Sequence, residues 1–421
     1  MKKNYFVTLV FFLFMGFGPQ VYGQLKLSGE LRPRPEYQHG YHKLRNEGDK
    51  AIDFISQRTR INFDYKGENL KFKVVLQDVR NWGDTPQINS SDSFLSLHEA
   101  WGEVMFNDEF SFKVGRQELV YDDHRILGNV GWAQQARSHD VGVFKYEGDF
   151  KIHFGLAYNL VKDSTFANYQ KYYRALQFAW FNKEFSNIDV SVLFLNNGLQ
   201  GLDNVTGLLT DNTIYSQTIG TYAKGNLSIV SLNGSFYYQM GKDRANKPLS
   251  AYNFALHAGF NITDAINLKA GIEMLSGTDD LETEKNNSFN PFYGTNHKFN
   301  GFMDYFYAGS QHLDNVGLND FTVGGEWKLD KWSTVVTAHY FMSNANLHDK
   351  VSSEVLSSGL GTEIDLTLGY KFNDWIDFTA GYSQMFATSS MEVLKGGSKD
   401  VTNNWAYLMI TLKPTFLDTS K

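Results

Sequence analysis

Cysteine is absent from this sequence, so the fold has no disulfide to stabilise it and no thiolate for catalysis or metal binding. The same absence excludes a lipid anchor on a cysteine after the N-terminal apolar segment. Long hydrophobic runs are missing too: after residue 24 no window approaches the roughly eighteen apolar residues that a membrane-spanning helix needs. The formal net charge is only −7, which argues against a nucleic-acid partner.

The first 23 residues have the features of a secretory signal peptide. Lys2 and Lys3 provide a positive region, residues 6–15 (FVTLVFFLFM) form an apolar core, and Gly23 ends a segment of small or modest residues of the kind that signal peptidase reads. We therefore predict cleavage after Gly23 and one mature domain over residues 24–421. A retained membrane helix is the alternative, which the short apolar run disfavours.

Aromatic residues, in contrast, are abundant. The chain has 8 Trp, 23 Tyr and 34 Phe, which together make 15% of its residues. Such an excess is typical of the aromatic girdles that transmembrane β-barrels place at the two bilayer interfaces.

Apolar and polar residues alternate along much of the chain, most clearly over residues 25–37. The odd positions there are Leu25, Leu27, Gly29, Leu31, Pro33, Pro35 and Tyr37, and the even positions are Lys26, Ser28, Glu30, Arg32, Arg34 and Glu36. Successive side chains of a strand point to opposite faces, so this pattern predicts a strand with one apolar and one largely charged face.

The alternation returns about every 22 residues, and short turn signals alternate with longer polar stretches. The turn signals are residues 66–69, 107–108, 147–149, 224–226 and 329–331. The polar stretches lie near residues 40–50, 81–93, 121–136, 161–169, 198–212, 241–249, 276–319, 344–359 and 387–403.

Only helices and closed barrels satisfy every backbone group inside lipid. The pattern therefore predicts an all-β protein, a transmembrane antiparallel up-and-down β-barrel of about 18 strands with short periplasmic turns and long extracellular loops. It also predicts the outer membrane of a Gram-negative cell as the location. A soluble β-sandwich or β-propeller is the alternative, which the charged faces opposite large apolar residues disfavour.

Arginine is distributed unevenly, because ten of the eleven arginines lie at or before residue 174. Arg32 and Arg34 share the polar face of the first predicted strand, and Arg58 and Arg60 share that of the second. Neighbouring strands would place these four guanidinium groups together on the lumen wall, where they could attract and conduct anions. Alternatively, they pair with carboxylates of the same wall and brace it, and both roles are compatible.

A long insertion at residues 276–317 is rich in aromatic residues, so we expect an ordered constriction or lid rather than a disordered loop. Its candidate functional residues are His297, Lys298 and Asp304. The acidic run at residues 279–282 could bind calcium, although a solvated loop is the preferred interpretation. We expect neither a resident metal nor a cofactor.

We also expect no enzymatic activity. Ser138, His139 and Asp140 contain the residue types of a catalytic triad, but neighbours on a strand point to opposite faces and cannot share a site. Spacings such as His-x-x-x-His, which would suit a metal, are absent. A catalytic site assembled across several strands from the eleven histidines remains an alternative.

The most distinctive motifs are LSGELRPR at residues 27–34, HEAW at 98–101, GRQEL at 115–119, DHRILG at 123–128 and RSHDVG at 137–142. With them, the sequence resembles the alginate export family of outer-membrane barrels. The resemblance implies a monomeric pore of 18 strands with an arginine-rich constriction that passes an anionic polysaccharide. By position, it implies lumen-lining roles for Arg32, Arg34, Arg58, Arg60, Arg116, Arg125 and Arg137.

The expected function is therefore passive passage of anionic solutes, foremost acidic polysaccharides or oligosaccharides, through a basic lumen. The expected partners are outer-membrane lipid and an anionic sugar. A general diffusion or uptake porin without polymer specificity is the first alternative. From a different class, the alternatives are a barrel-embedded hydrolase and a plugged structural or adhesion barrel.

Overall fold

All strands in the described part of the chain belong to one antiparallel sheet. The computed structural model describes residues 23–89, 91–92, 94–159, 173–203 and 206–420. The strands β1 to β19 are, in chain order, Gln24–His39, Ile52–Lys66, Leu70–Asn81, Leu95–Met105, Phe110–Gln117, His139–Glu147, Lys151–Tyr158, Tyr173–Phe185, Ile188–Leu202, Leu209–Leu227, Val230–Lys242, Pro248–Thr263, Ile266–Leu275, Leu318–Leu329, Trp332–Met342, Gly359–Lys371, Ile376–Ala387, Asn403–Leu412 and Thr415–Asp418.

The sheet closes into a barrel of eighteen strands. Each strand pairs with its neighbours in sequence, and β1 pairs both with β2 and with the end of the chain. Segments β18 and β19 are two parts of one last strand, since both pair with β1 on the same side. Pro414 lies between them and has no N–H to donate, but its carbonyl still accepts from the Gly29 N–H at 2.9 Å. The predicted barrel and strand number are confirmed.

Short turns at one end of the barrel alternate with longer loops at the other, as predicted. One predicted turn is wrong: residues 224–226 lie inside β10, and the chain turns at Ser228 and Ile229, with Ser228 in the left-handed region at φ 57°. The polar Lys-Gly-Asn sequence has turn composition, but hydrogen bonding to β9 and β11 extends the strand past it.

A second boundary also differs from its prediction. The loop expected over residues 198–212 is shorter, because β9 continues to Leu202 and β10 begins at Leu209. Loop residues 161–169 and the signal peptide up to residue 22 lie outside the described residues.

The outer face of the wall is apolar. Phe154 and Leu156 of β7 are 44% and 45% exposed, whereas His153 on the alternate face is nearly buried. Trp332 and Tyr370 pack against each other at 4.5 Å between ring centroids beside the short turns, and Trp375 is exposed there as well. This arrangement fits a lipid-facing belt with an aromatic girdle.

Helical structure is confined to the connections. The α-helix α1 (Ser389–Lys395) follows β17, and the Thr388 hydroxyl caps it by accepting from the Met391 N–H at 3.3 Å. Two 3₁₀ turns, Asn296–Lys298 and Ala308–Ser310, lie between β13 and β14. Within the described part of the chain, no helix has the length and apolar character to span a membrane.

Candidate functional site

Two long loops fold into the barrel and meet in its lumen. The first inner loop (residues 118–138) connects β5 to β6, and the second inner loop (residues 276–317) connects β13 to β14. Leu127 forms a β-bridge with Tyr293, and the Gly128 N–H donates to the Tyr293 carbonyl at 2.9 Å. Apolar side chains of both loops are buried in one cluster, so the lumen contains a packed core inside a lipid-facing wall.

Asp122 anchors the start of the first inner loop to the wall formed by β8, β9 and β11. Its carboxylate accepts hydrogen bonds from the indole of Trp180 at 2.9 Å, the hydroxyl of Ser191 at 2.5 Å and the hydroxyl of Tyr237 at 3.4 Å. Burial raises the pKa of Asp122, and the three donors act in the opposite direction. One loop carboxylate thus connects three strands.

Arg32 holds the far part of the same loop against β1. Its Nη1 donates to the Gly131 carbonyl at 2.9 Å and its Nη2 to the Trp132 carbonyl at 3.0 Å, while Nε donates to the Gln134 side-chain oxygen at 3.0 Å. In a ring of eighteen strands, β10 is diametrically opposite β1. The first inner loop therefore crosses the whole lumen.

Arg34 and Arg58 combine carbonyl and carboxylate partners. Arg34 donates from Nη1 to the Trp132 carbonyl at 2.9 Å and from Nε to Glu36 at 2.8 Å. Arg58 donates from Nε to Glu30 at 2.8 Å. The sequence predicted this group of arginines on the lumen side of β1 and β2, and the structure brings them together there. Their contacts in the structure are those of bracing groups.

Cationic side chains continue around the wall from this group. Arg60 donates to Gln77 at 2.8 Å, and its buried Nη2 has no partner among the described residues. Lys73 and Lys145 of β3 and β6 face the lumen beside carboxylates, and Lys113 of β5 lies 3.8 Å from the ring centroid of Trp101. The wall from β1 to β6 thus carries most of the lumen's arginine and lysine, several of them paired with carboxylates of β1 and β4.

The wall from β13 to β16 is acidic, and the second inner loop binds to it. The Asn300 amide donates to Glu273 at 2.8 Å, and the Met303 N–H donates to Glu363 at 2.7 Å. His339 lies 3.0 Å from Asp320. These side chains are buried beneath the loop.

Arg125 links the first inner loop to this acidic wall. Its side chain is fully buried, with Nε 2.8 Å from Glu273 and Nη2 donating to Asn300 at 2.9 Å. Its guanidinium also lies 4.4 Å from the ring centroid of Phe299. Because no part of Arg125 reaches solvent, its role in this conformation is to join the loops to the wall.

The two remaining predicted arginines have different environments. Arg137 belongs to the first inner loop and donates to the Gly294 carbonyl at 3.0 Å. Arg116 points outward instead: it shares its strand face with exposed Val114 and pairs at 3.0 Å with Asp140, which is also exposed. The structure therefore groups Arg137 with the inner loops and separates Arg116 from the lumen.

The candidate residues of the second inner loop lie where the loops meet. His297 forms a hydrogen bond with Asp304 at 2.7 Å, and its ring stacks on Trp132 at 4.6 Å with an interplanar angle of 12°. Lys298 is exposed and donates to the Asp123 carbonyl at 2.9 Å. His297 and Lys298 thus join the two inner loops to each other, whereas Asp304 holds His297 and accepts from the Tyr41 hydroxyl.

The acidic run at residues 279–282 is partly enclosed. Asp279 and Asp280 lie against His348 of the loop between β15 and β16, and their ligand atoms are within 4.8 Å of one another. Two carboxylates and an imidazole form a donor set suited to a divalent cation. His348 also bonds to Asp280 through Nδ1 and lies 3.6 Å from Asp279, so these groups serve one another as partners.

The serine–histidine–aspartate segment forms no triad. His139 is buried and bonds with the Tyr173 hydroxyl at 3.1 Å, whereas Asp140 points outward to Arg116. The alternation of side chains along β6 separates the two groups, as the sequence predicted.

Sequence reasoning missed the inward course of the first inner loop. The available signal was its apolar content, since Tyr121, Ile126 and Leu127 lie within the stretch predicted as a polar loop near residues 121–136, and Leu119 lies just before it. All four side chains are buried in the structure. Burial raises the pKa of Tyr293 beside them far above its usual range, so its hydroxyl stays neutral and donates to Asn197 at 2.7 Å.

The family model described as alginate export matches residues 24–392. No curated protein sequence matches the chain significantly.

Solved structures with a similar barrel include OpdK from Pseudomonas aeruginosa, with a TM-score of 0.62 and 9% identity over 93% of this chain and 99% of that chain. A BenF-like porin from Pseudomonas fluorescens Pf-5 has a TM-score of 0.62 and 12% identity, over 93% and 99% of the two chains. OccK2 (OpdF) from Pseudomonas aeruginosa, in complex with glucuronate, has a TM-score of 0.61 and 11% identity, over 93% and 98%. At these identities, the likeness shows a shared fold.

Proposed function

Because this chain belongs to the alginate export family of outer-membrane barrels, we propose that it passes anionic solutes passively, and acidic oligosaccharides or polysaccharides in particular. The protein is an outer-membrane channel of the porin type, with lipid around its wall. We propose further that the channel is a monomer, in which a single barrel forms a single pore.

The observation that carries the proposal is the cationic wall from β1 to β6. Arg32, Arg34, Arg58 and Arg60 lie on its lumen side, followed by lysines on β3, β5 and β6. In a water-filled tube, fixed cations attract anions and lower the barrier to their passage. The acidic wall from β13 to β16 is covered by the second inner loop, and Arg32, Arg34 and Arg58 are covered by the first. The cations that remain partly exposed to a solute therefore include the lysines on β3, β5 and β6.

Planar-bilayer recordings of the purified protein test this selectivity. In a KCl gradient the reversal potential should show a preference for chloride, and oligogalacturonate should block the current more strongly than a neutral maltooligosaccharide of equal length. Replacing Lys73, Lys113 and Lys145 together by Gln should reduce the anion preference. Lys371→Gln is the matched control, because Lys371 lies at a turn and pairs with Asp374.

A native channel that prefers cations would overturn the proposal. Equal block by charged and neutral oligosaccharides would favour the general porin without polymer specificity. A glucuronate-bound relative in fold, OccK2, and the alginate export family both support an acidic sugar as the solute class.

We also propose that the protein has no enzymatic activity. The orientation of His139 and Asp140 supports this at the one segment with triad residue types. Hydrolysis of a phospholipid or peptide by the pure protein would favour the embedded hydrolase instead. A complete lack of current would favour the plugged barrel.

A further inference from the structure

Arg32 is a buried cation whose partners are all neutral. Its side chain donates to the Gly131, Trp132 and Ala133 carbonyls and to the Gln134 amide oxygen. Within the described residues, Arg34 and Arg58 each have a carboxylate in ion-pair contact, whereas Arg32 has none. A carboxylate adds opposite charge and a bidentate geometry that separate carbonyl oxygens do not offer a guanidinium, so an anion would compete effectively for Arg32.

The segment that covers Arg32 is strained at both ends. Val130 has φ 50° and Ala136 has φ 55°. The left-handed region is unfavourable for residues with a Cβ atom, and most of all for a β-branched one such as valine. Such conformations persist only where the surroundings impose them, and they cluster at ligand clamps and switch segments. Contacts with the arginines therefore hold this segment in place.

From these two observations we propose that residues 130–136, here called the arginine lid, cover an anion-binding site at Arg32. In this inference a carboxylate of an acidic saccharide displaces the lid carbonyls from Arg32, Arg34 and Arg58 and takes their hydrogen bonds. The lid then moves off the wall, and the solute opens its own path. The inference rests on the proposed anion transport, because the solute reaches Arg32 through the lumen.

Two side chains fasten the lid. The Gln134 side chain accepts from Arg32 and donates to the Arg32 carbonyl at 3.3 Å and to the Ser56 hydroxyl at 3.0 Å. Trp132 lies beneath the Arg34 guanidinium at 4.2 Å and stacks on His297 at 4.6 Å. In all of these contacts the lid contributes only neutral groups. Moving the lid away therefore does not separate a charged lid residue from its partner.

A single introduced cysteine can report the position of the lid, since the chain has none of its own. Ala133→Cys keeps the main-chain carbonyl that faces the arginines. In the full barrel, the rate of its reaction with a small neutral thiol reagent should rise severalfold when oligogalacturonate is added. A maltooligosaccharide of equal length should leave the rate unchanged. Ala345→Cys, in the loop between β15 and β16, is the control that should respond to neither.

A second variant tests whether the Gln134 hydrogen bonds hold the lid in place. Adding Gln134→Ala to the Ala133→Cys reporter should raise the reaction rate without solute by about tenfold, the effect of losing one or two net hydrogen bonds. Gln200→Ala is the matched control, because the Gln200 amide donates to the Thr210 carbonyl at 2.9 Å, away from the lid. Adding Arg32→Gln should abolish the response to oligogalacturonate.

The outcomes separate the two proposals. If the native channel prefers anions but oligogalacturonate leaves the reaction rate of the Ala133→Cys reporter unchanged, the lid is overturned and the channel proposal stands. The lid proposal is also overturned if adding Gln134→Ala leaves the solute-free reaction rate of the Ala133→Cys reporter unchanged. If the native channel shows no anion preference, the proposed function fails and the lid fails with it.

Discussion

Single arginines in this lumen have different tasks, which follow from what each one contacts. Arg32 meets only neutral oxygens, Arg58 meets a carboxylate, and Arg125 is fully enclosed between a carboxylate, an amide and an aromatic ring. A buried cation that has lost its partner costs far more than the pair contributes. The most consequential of these ion pairs for stability is therefore the pair of Arg125 with Glu273.

Replacing Arg125 by Met should destabilise the barrel by about 3–5 kcal/mol, because Glu273 would remain buried without its partner. Thermal unfolding in detergent, followed by circular dichroism, measures the effect. The double variant Arg125→Met with Glu273→Gln should recover much of the loss. Arg174→Met is the control, since Arg174 is only half-buried and its partner is the neutral Asp211 carbonyl. Equal destabilisation by the Arg125 and Arg174 replacements would contradict the assignment.

At the scale of elements, the first inner loop acts as a strut across the lumen. It is attached to β8, β9 and β11 through Asp122, to β13 through Arg125 and to β1 through its carbonyls. A loop fixed at three places on the wall divides the lumen and limits the size of solute that can pass. Its attachment points therefore control both its rigidity and the width of the pore.

Asp122→Leu should detach one end of this strut, because Trp180, Ser191 and Tyr237 would lose their common acceptor. Each hydrogen bond to a charged group contributes about 1.5–3 kcal/mol. The loop should therefore become more susceptible to proteolysis, and the single-channel current should fluctuate more. Limited proteolysis and single-channel recording measure these changes. Asp349→Leu is the control, because the Asp349 carboxylate accepts from main-chain N–H groups of its own loop. A loop that stays resistant in Asp122→Leu would show that other contacts suffice.

The whole molecule separates lipid outside from polar groups and buried loops inside. This separation follows from strands whose two faces differ, because closure turns every apolar face outward and leaves no free sheet edge. β15 illustrates it: Val336 and Tyr340 are exposed on the outer face, whereas His339 is nearly buried on the inner face.

Neighbouring positions of β15 should therefore respond oppositely to the same charge. Val336→Lys puts an ammonium group into the lipid-facing belt and should cost about 2–4 kcal/mol, while Thr337→Lys points into the lumen and should cost little. Urea unfolding in lipid vesicles, followed by tryptophan fluorescence, measures both. A greater loss for Thr337→Lys than for Val336→Lys would contradict the assigned faces.

Much of the barrel was predictable, because alternation is a local property of each strand. The arginines of β1 and β2 were placed correctly on one face for the same reason. The outward orientation of Arg116 is also consistent with alternation, since Phe112 and Val114 lie on its face, whereas the family resemblance implied a place in the lumen. The turn at Ser228 could not be predicted, because strand pairing overrode the local turn composition. Signal-peptide cleavage after Gly23 stays a prediction.

The sequence by itself determined that the strands have one apolar and one polar face, and hence that they close into a barrel embedded in lipid. Only the tertiary structure decided which loops enter that barrel and which arginines they cover. The physical reason is distance along the chain: Arg32 meets Gln134 across 102 residues and Arg125 meets Asn300 across 175. A two-residue repeat specifies which side chains lie on the apolar and the polar face of each strand. It contains no information about partners that are so distant along the chain.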